Sequence, residues 1–304
     1  MKKVILTGAS GFIGRHTISH LLRGNYEVHA LFYDVVPQQD KQENLIWHKC
    51  NVLDLAAQQE LCREIAASHL LHFAWYTEPG KYWDSLENEY WVKASTSLIE
   101  NFISCGGIRA VVAGTCAEYD WKKGYCSEDS TPLAPGTLYG KSKNALHGII
   151  KDYYENDKLS YAWGRIFYLY GPYENPQRLV PSVIRALLKD EPVKCTHGRQ
   201  VRDFLYVDDV ARAFVDLLTS NVIGAVNISS GRGLALRQVV FTAADCFGKR
   251  NLVEFGALAA PVNEPPLIVG DNHRLTLEVG WRPAYGLADG IAKTIEYWQG
   301  YIHS

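Results

Sequence analysis

Short apolar runs alternate with amphipathic stretches through the first half of the chain. Val4–Thr7, Glu27–Phe32, Asn44–Cys50, His69–Ala74 and Ala110–Gly114 read as buried strands. Between them, Phe12–Arg23 (closed by Gly24) and segments 56–67 and 85–104 carry helical periodicity. Strand and helix in alternation predict an α/β fold, a doubly wound parallel sheet with helices on both faces. Pro135 and Gly136 stop just short of Leu138, so a further helix runs from there to about Asn156. Gly140 lies inside it, at a cost of about 1 kcal/mol against alanine. Tyr161–Tyr168 reads as a strand ending in the Gly171-Pro172 turn. Beyond it the pattern is irregular and richer in proline and glycine. Residues 1–170, with about 202–230, are expected to form the larger domain; 171–201 and 231–304 form a smaller α/β lobe.

The 304 residues, 47% hydrophobic, can fill a substantial core. Thirty-one basic against 33 acidic side chains leave a net charge of −2 and no polybasic run. That gives no electrostatic case for nucleic acid or an anionic membrane surface. No stretch approaches the ~20 apolar residues of a membrane span. The run Val4-Ile5-Leu6 is too short for the apolar core of a signal peptide. Seven scattered cysteines without a C-x-x-C fit reduced thiols. The expected location is the cytoplasm.

Chemistry enters with Gly8-Ala9-Ser10-Gly11-Phe12-Ile13-Gly14, placed between a strand and a helix. Glycines let the backbone turn sharply and approach a pyrophosphate, and the helix start offers free N–H groups. This is the phosphate-binding turn of a Rossmann dinucleotide domain, with one extra residue in its first gap. Phe32 ends the second strand, followed by Tyr33 and Asp34. With Phe32 at the strand end, no carboxylate repels a 2′-phosphate, which favours NADP. Asp34 on the ribose hydroxyls would favour NAD instead. Arg15 is a candidate phosphate partner.

Thr115 ends an apolar strand 24 residues before Tyr139. Strand ends are where an open α/β sheet takes its ligands. Tyr139 and Lys143 lie four apart, on one helix face. A nearby ammonium favours the phenolate, and moving a phenol from about 10 towards 7 asks roughly 4 kcal/mol. Burial opposes that shift. Together the three groups read as carbonyl/alcohol chemistry with a nicotinamide.

The ordered motifs resemble the extended short-chain dehydrogenase/reductase family, in its nucleotide-sugar epimerase/dehydratase/4-ketoreductase branch. The resemblance spans essentially the whole chain. Its pieces are Thr7–Gly14, His72-Phe73-Ala74, Thr115 before Tyr119, Tyr139-x-x-x-Lys143, Arg165 with Tyr170-Gly171-Pro172, and Arg202–Val210. The resemblance implies that Tyr139 is the acid/base and that Thr115 assists. Lys143 would bind the nicotinamide ribose and lower the tyrosine pKa. Gly8, Ser10, Gly11, Phe12, Ile13 and Gly14 would hold the cofactor phosphates, Phe73 and Ala74 would line the cofactor, and Asn51 and Val52 would sit by the adenine. Arg202 would meet the substrate diphosphate, with Leu179 and Val180 near the nucleotide base. A homodimer would form through the helices at 85–104 and 139–156.

Departures from the family narrow the reaction. Dehydratases of the family carry Asp-Glu after the hydroxyl residue, where this chain has Cys116-Ala117. The 3,5-epimerase/reductases use a cysteine and a histidine where this chain has Ala117 and Tyr173. An asparagine after the Phe-Ala segment becomes Trp91, and one before Tyr170 becomes Tyr168. A second diphosphate arginine near 261 is replaced by Asn263 or Glu264. Trp75, Tyr76 and Tyr168 are aromatic candidates for the sugar pocket. The expected reaction is NADPH-dependent reduction of a 4-keto-6-deoxy nucleotide sugar. The alternatives are NAD-dependent C4 epimerisation and an NAD(P)-sensing protein without turnover. His16 and His20 have a metal-like spacing but no third ligand, so no metal is expected. Asp208-Asp209 reads as a helix N-cap.

Overall fold

The structure is a computed structural model that describes residues 1–34, 42–261 and 264–302. Asn263 lies outside the described residues. The first run comprises β1 (Lys2–Thr7), α1 (Gly14–Arg23), β2 (Tyr26–Phe32), β3 (Leu45–Lys49), α2 (Leu55–Ile65) and β4 (His69–His72). Then come α3 (Glu87–Ser104), β5 (Arg109–Thr115), β6 (Tyr125–Cys126), α4 (Leu138–Glu155), β7 (Ser160–Ile166) and β8 (Tyr168–Tyr170). The third run is α5 (Leu179–Leu188), β9 (Val193–Cys195), β10 (Val201–Tyr206), α6 (Val207–Thr219) and β11 (Gly224–Ile228). The chain closes with β12 (Gly233–Ala235), α7 (Leu236–Phe247), β13 (Val253–Phe255), β14 (Leu267–Gly270) and α8 (Leu287–Ile302).

Seven parallel strands form the main sheet, in the order β11-β7-β5-β4-β1-β2-β3. The chain runs outward from β1 to β3, then returns to β4 on the other side of β1. That reversal opens a crevice at the strand ends of β1 and β4, where such sheets take ligands. Side chains alternate across the sheet. Val4 and Leu6 pack under α1 and α6 with Ile18, Leu21, Val210 and Phe214. Ile5 points the other way, towards Leu61 of α2, Leu98 of α3 and Leu146 of α4. Both faces are covered, which explains why these strands read as continuous apolar runs.

A second sheet is centred on β10, which pairs antiparallel with β12 and parallel with β14 and β8. β14 pairs with β6, and β9 with β13. Helices α5, α7 and α8 bury Ile184, Val240 and Ile291 in one cluster beside it.

Three sequence boundaries move. The strand expected over Tyr161–Tyr168 divides at Phe167: β7 stays in the main sheet and β8 joins β10. One apolar run serves two sheets because the chain crosses between them there. Segment 202–230 divides likewise, with Val201–Tyr206 in the second sheet and α6 and β11 on the first. Helix α1 begins at Gly14, not Phe12, because Gly11 closes a turn onto Gly8 O at 2.9 Å. Asp208 and Asp209 lie in the first turn of α6 rather than at its cap, which is Tyr206. Among the described residues no helix is long and apolar enough to cross a membrane.

Candidate active site

Thr7 joins the two strands at the reversal. Its hydroxyl pairs with His72 Nδ1 at 2.6 Å and accepts the N–H groups of Phe73 and Ala74 at 3.2 and 3.1 Å. This draws the Phe73-Ala74 backbone across the glycine turn. Gly8 has φ +65°, and a Cβ there would stand 2.9 Å from Ala74 N. A Cβ on Gly14 would stand 2.1 Å from Gly8 O. Only hydrogen fits at either place. Ile13 precedes α1 and no side chain caps that helix start, although Arg15 N and His16 N already donate to Gly11 O at 3.3 Å and Ile13 O at 3.1 Å. A bare, crowded helix start at a strand crossover fits a dinucleotide pyrophosphate. Arg15 is otherwise engaged: it bonds Ser10 O at 2.7 Å and lies 3.8 Å over the Tyr173 ring.

At the end of β5 a capping box sets the Thr115 hydroxyl. Thr115 N donates to Glu118 Oε1 at 2.8 Å, while Thr115 Oγ1 accepts from Ala117 N at 3.2 Å. Glu118 is fully buried. It also accepts from Trp163 Nε1 at 2.9 Å and from Arg165 Nε at 2.7 Å. A Cβ on Gly114 would collide with that indole, 2.1 Å from Nε1, so the glycine is what lets Trp163 reach Glu118. The sequence reading missed Glu118, although Thr115-x-x-Glu118 is a capping-box pattern.

Thr137 caps helix α4, its hydroxyl accepting from Gly140 N at 3.2 Å. Tyr139 N donates to Trp83 O at 2.9 Å, which ties the helix start to the segment after β4. The Tyr139 phenol hydrogen-bonds Thr115. Lys143 Nζ donates to Ala113 O at 2.8 Å and lies 3.7 Å from the Trp75 ring centroid. Burial drives Lys143 down to about 7, against the opposing pull of Glu118. Burial likewise raises the Tyr139 phenol, more than the Thr115 bond lowers it. This corrects the sequence expectation of a depressed tyrosine. The reason is shared desolvation: the ammonium is turned to a carbonyl and an indole, and is itself pushed towards neutrality.

One cavity of about 520 Å³ gathers most of the expected site. Gly8, Gly11, Phe12, Ile13, Gly14, Phe73 and Ala74 form one end of it, the end expected to take the cofactor. Thr115, Tyr139 and Lys143 stand at its centre, with Trp75 against Lys143. Tyr168, Leu179, Val180 and Arg202 line the remainder. Ser10, Phe32, Asp34, Asn51 and Val52 stay outside this lining. Phe32 and Asn51 lie near the same strand ends: Phe32 O accepts from Cys50 N at 2.9 Å, and Asn51 Oδ1 accepts from Leu53 N at 3.0 Å. Asp34 is exposed. Tyr76 is turned to Glu78 and also lies outside it. The sequence reading missed the wall of Tyr82, Trp83 and Trp121, whose rings pack around Tyr139 and one another.

Arg202 is not free. Its Nη2 pairs with Glu264 Oε1 at 2.9 Å, and Glu264 also accepts from Gln200 at 2.7 Å. His20 pairs with Asp208 at 2.9 Å and His16 Nε2 lies 3.2 Å from Pro172 O, so their spacing serves packing. Among the described residues no group of three or more histidine, cysteine or acidic side chains could hold a metal.

A glycine turn under a bare helix start, opening onto Thr115, Tyr139 and Lys143, defines a Rossmann-type enzyme of the short-chain dehydrogenase/reductase class. The chain belongs to the NAD dependent epimerase/dehydratase family, whose model matches residues 4–229. It is 27% identical to CDP-abequose synthase of Salmonella typhimurium, over 96% of this chain and 97% of that one. The structure of MoeE5 with UDP-glucose and NAD is 28% identical, with TM-score 0.84 and coverage of 99% and 100%. UDP-glucose 4-epimerase of Thermotoga maritima shares the fold at TM-score 0.87 and 20% identity, over 99% of each chain.

Proposed function

We propose that this chain reduces the 4-keto group of a nucleotide-linked 4-keto-6-deoxy sugar with NADPH. The observation that carries the reading is the state of the groups beside Thr115. Cys116 is buried and its thiol is pushed up by desolvation, so it is held protonated. The Glu118 oxygens are taken by Thr115 N, Trp163 and Arg165. The strand end thus offers one hydroxyl and one phenol, and no second acid–base pair for elimination.

The cofactor would rest on Gly8, Gly11 and Gly14 and on Phe73-Ala74, and it would supply the hydride. Thr115 orients the carbonyl oxygen, and Tyr139, kept in its acid form by burial, donates the proton. Lys143 would hold the cofactor ribose. The half-buried Phe32 at the end of β2, packed against Trp47 at 6.2 Å, supports NADP. The relative named CDP-abequose synthase supports a nucleotide-linked sugar as the ligand class. Exposed Tyr90 on α3 and Tyr154 on α4 support a homodimer through these helices.

A second reading is C4 epimerisation with tightly held NAD, favoured by the NAD present in related structures. Incubation with NADPH and a panel of 4-keto nucleotide sugars separates the two. Loss of NADPH absorbance supports the reductase. Turnover of a nucleotide hexose without added cofactor, by protein that retains NAD through purification, replaces it with the epimerase.

A further inference from the structure

Glu174 has no role in the chemistry above, yet it lines the same cavity as Tyr139. It sits in the turn after Gly171-Pro172, four residues before Arg178. The residue is 8% exposed. The Gly171 N–H donates to its carboxyl, while Oε2 is shut off from solvent without a hydrogen-bond partner among the described residues, so the carboxyl meets the cavity through Oε1. Arg178 is the neighbouring cation. Its guanidinium is engaged with Tyr82, hydrogen-bonded to the hydroxyl and 5.5 Å from the ring centroid. Tyr82 in turn packs edge-on against Tyr139, with centroids 4.9 Å apart. Glu174, Arg178, Tyr82 and Tyr139 therefore follow one another along one wall.

Burial outweighs Arg178 and the Gly171 bond, and pushes the Glu174 carboxyl up to about 8. Near neutral pH such a group presents an O–H donor and a carbonyl acceptor together. An alcohol also gives and accepts, so the two match. We propose that Glu174 is a specificity-determining residue for the sugar, its cavity-facing carboxyl oxygen hydrogen-bonding a ring hydroxyl of the bound nucleotide sugar. This rests on the reading of the cavity as a nucleotide-sugar site.

The test titrates the protein with UDP-, CDP- and dTDP-glucose and with UDP, CDP and dTDP. Trp75, Trp83 and Trp121 line the cavity, so quenching of tryptophan emission reports binding. Glu174→Ala is expected to weaken the best-bound nucleotide glucose roughly tenfold and leave its nucleoside diphosphate unchanged. Glu174→Gln, which keeps an acceptor and a donor, is expected to recover most of the loss. If Glu174→Ala does not fold, Glu174→Asp, which withdraws the carboxyl by one methylene, is expected to show the same split. Equal weakening of both ligands, or of neither, overturns the assignment and leaves the nucleotide-sugar reading standing. Wild-type protein that binds no nucleotide glucose overturns that reading, and this proposal with it.

Discussion

The Lys143 ammonium lies 3.7 Å from the centroid of the Trp75 ring and donates a hydrogen bond to Ala113 O at 2.8 Å. An indole face attracts a cation, but far less than water does. The site therefore holds its lysine close to neutrality, and several consequences can be measured.

Lys143→Met should stabilise the protein while removing activity. The folded pKa of Lys143, about 7, lies below its ordinary 10.5, so the unfolded chain binds more protons between those values. Wild-type stability thus gains from this residue as pH rises from about 7 towards 10.5. The advantage of the methionine variant should be largest below pH 7 and vanish above pH 10.5; urea unfolding across that range checks it.

Tyr139→Phe keeps the ring that packs against Tyr82 and removes only the proton donor. Turnover should fall by about 10²–10⁴-fold. Nucleotide binding, followed by tryptophan quenching, should stay near wild type. Turnover preserved in the variant would remove Tyr139 from the chemistry.

Gly140→Ala should destabilise the protein, against helix propensity. An alanine in a helix is ordinarily worth about 1 kcal/mol more than glycine. Here the added Cβ would stand 2.4 Å from Ala117 O and 2.9 Å from Pro135 Cβ. Overpacking of this kind costs about 1–3 kcal/mol. A lower urea midpoint, with reduced kcat from displaced Tyr139, is the expected result.

Glu264→Gln should release Arg202 from its ion pair. Affinity for a nucleoside diphosphate should rise by up to about fivefold, the scale of a partly exposed pair. The gain should shrink as salt increases. Isothermal titration with UDP at two salt concentrations measures both effects.

Tyr139 and Lys143 were legible as a pair because helical spacing alone puts them on one face. The glycine turn was legible because its strand and helix flank it directly. For Glu118 only the capping-box spacing to Thr115 was legible; its buried partners Trp163 and Arg165 were not, since they come from a strand more than 40 residues away. The role of Gly140 was misread as a mild cost, because the Ala117 backbone that crosses it is visible only in three dimensions. The Tyr161–Tyr168 run concealed a change of sheet, since apolarity reports burial and not the pairing partner.

By itself the sequence determined the alternation of strands and helices, the phosphate turn and the order of Thr115, Tyr139 and Lys143. These follow from local spacing and backbone sterics. The tertiary structure decided the charge state of Lys143, the ion pair that occupies Arg202 and the burial of the Glu174 carboxyl. Each depends on which distant groups exclude water from a side chain, and desolvation is a property of the assembled cavity rather than of any segment lining it.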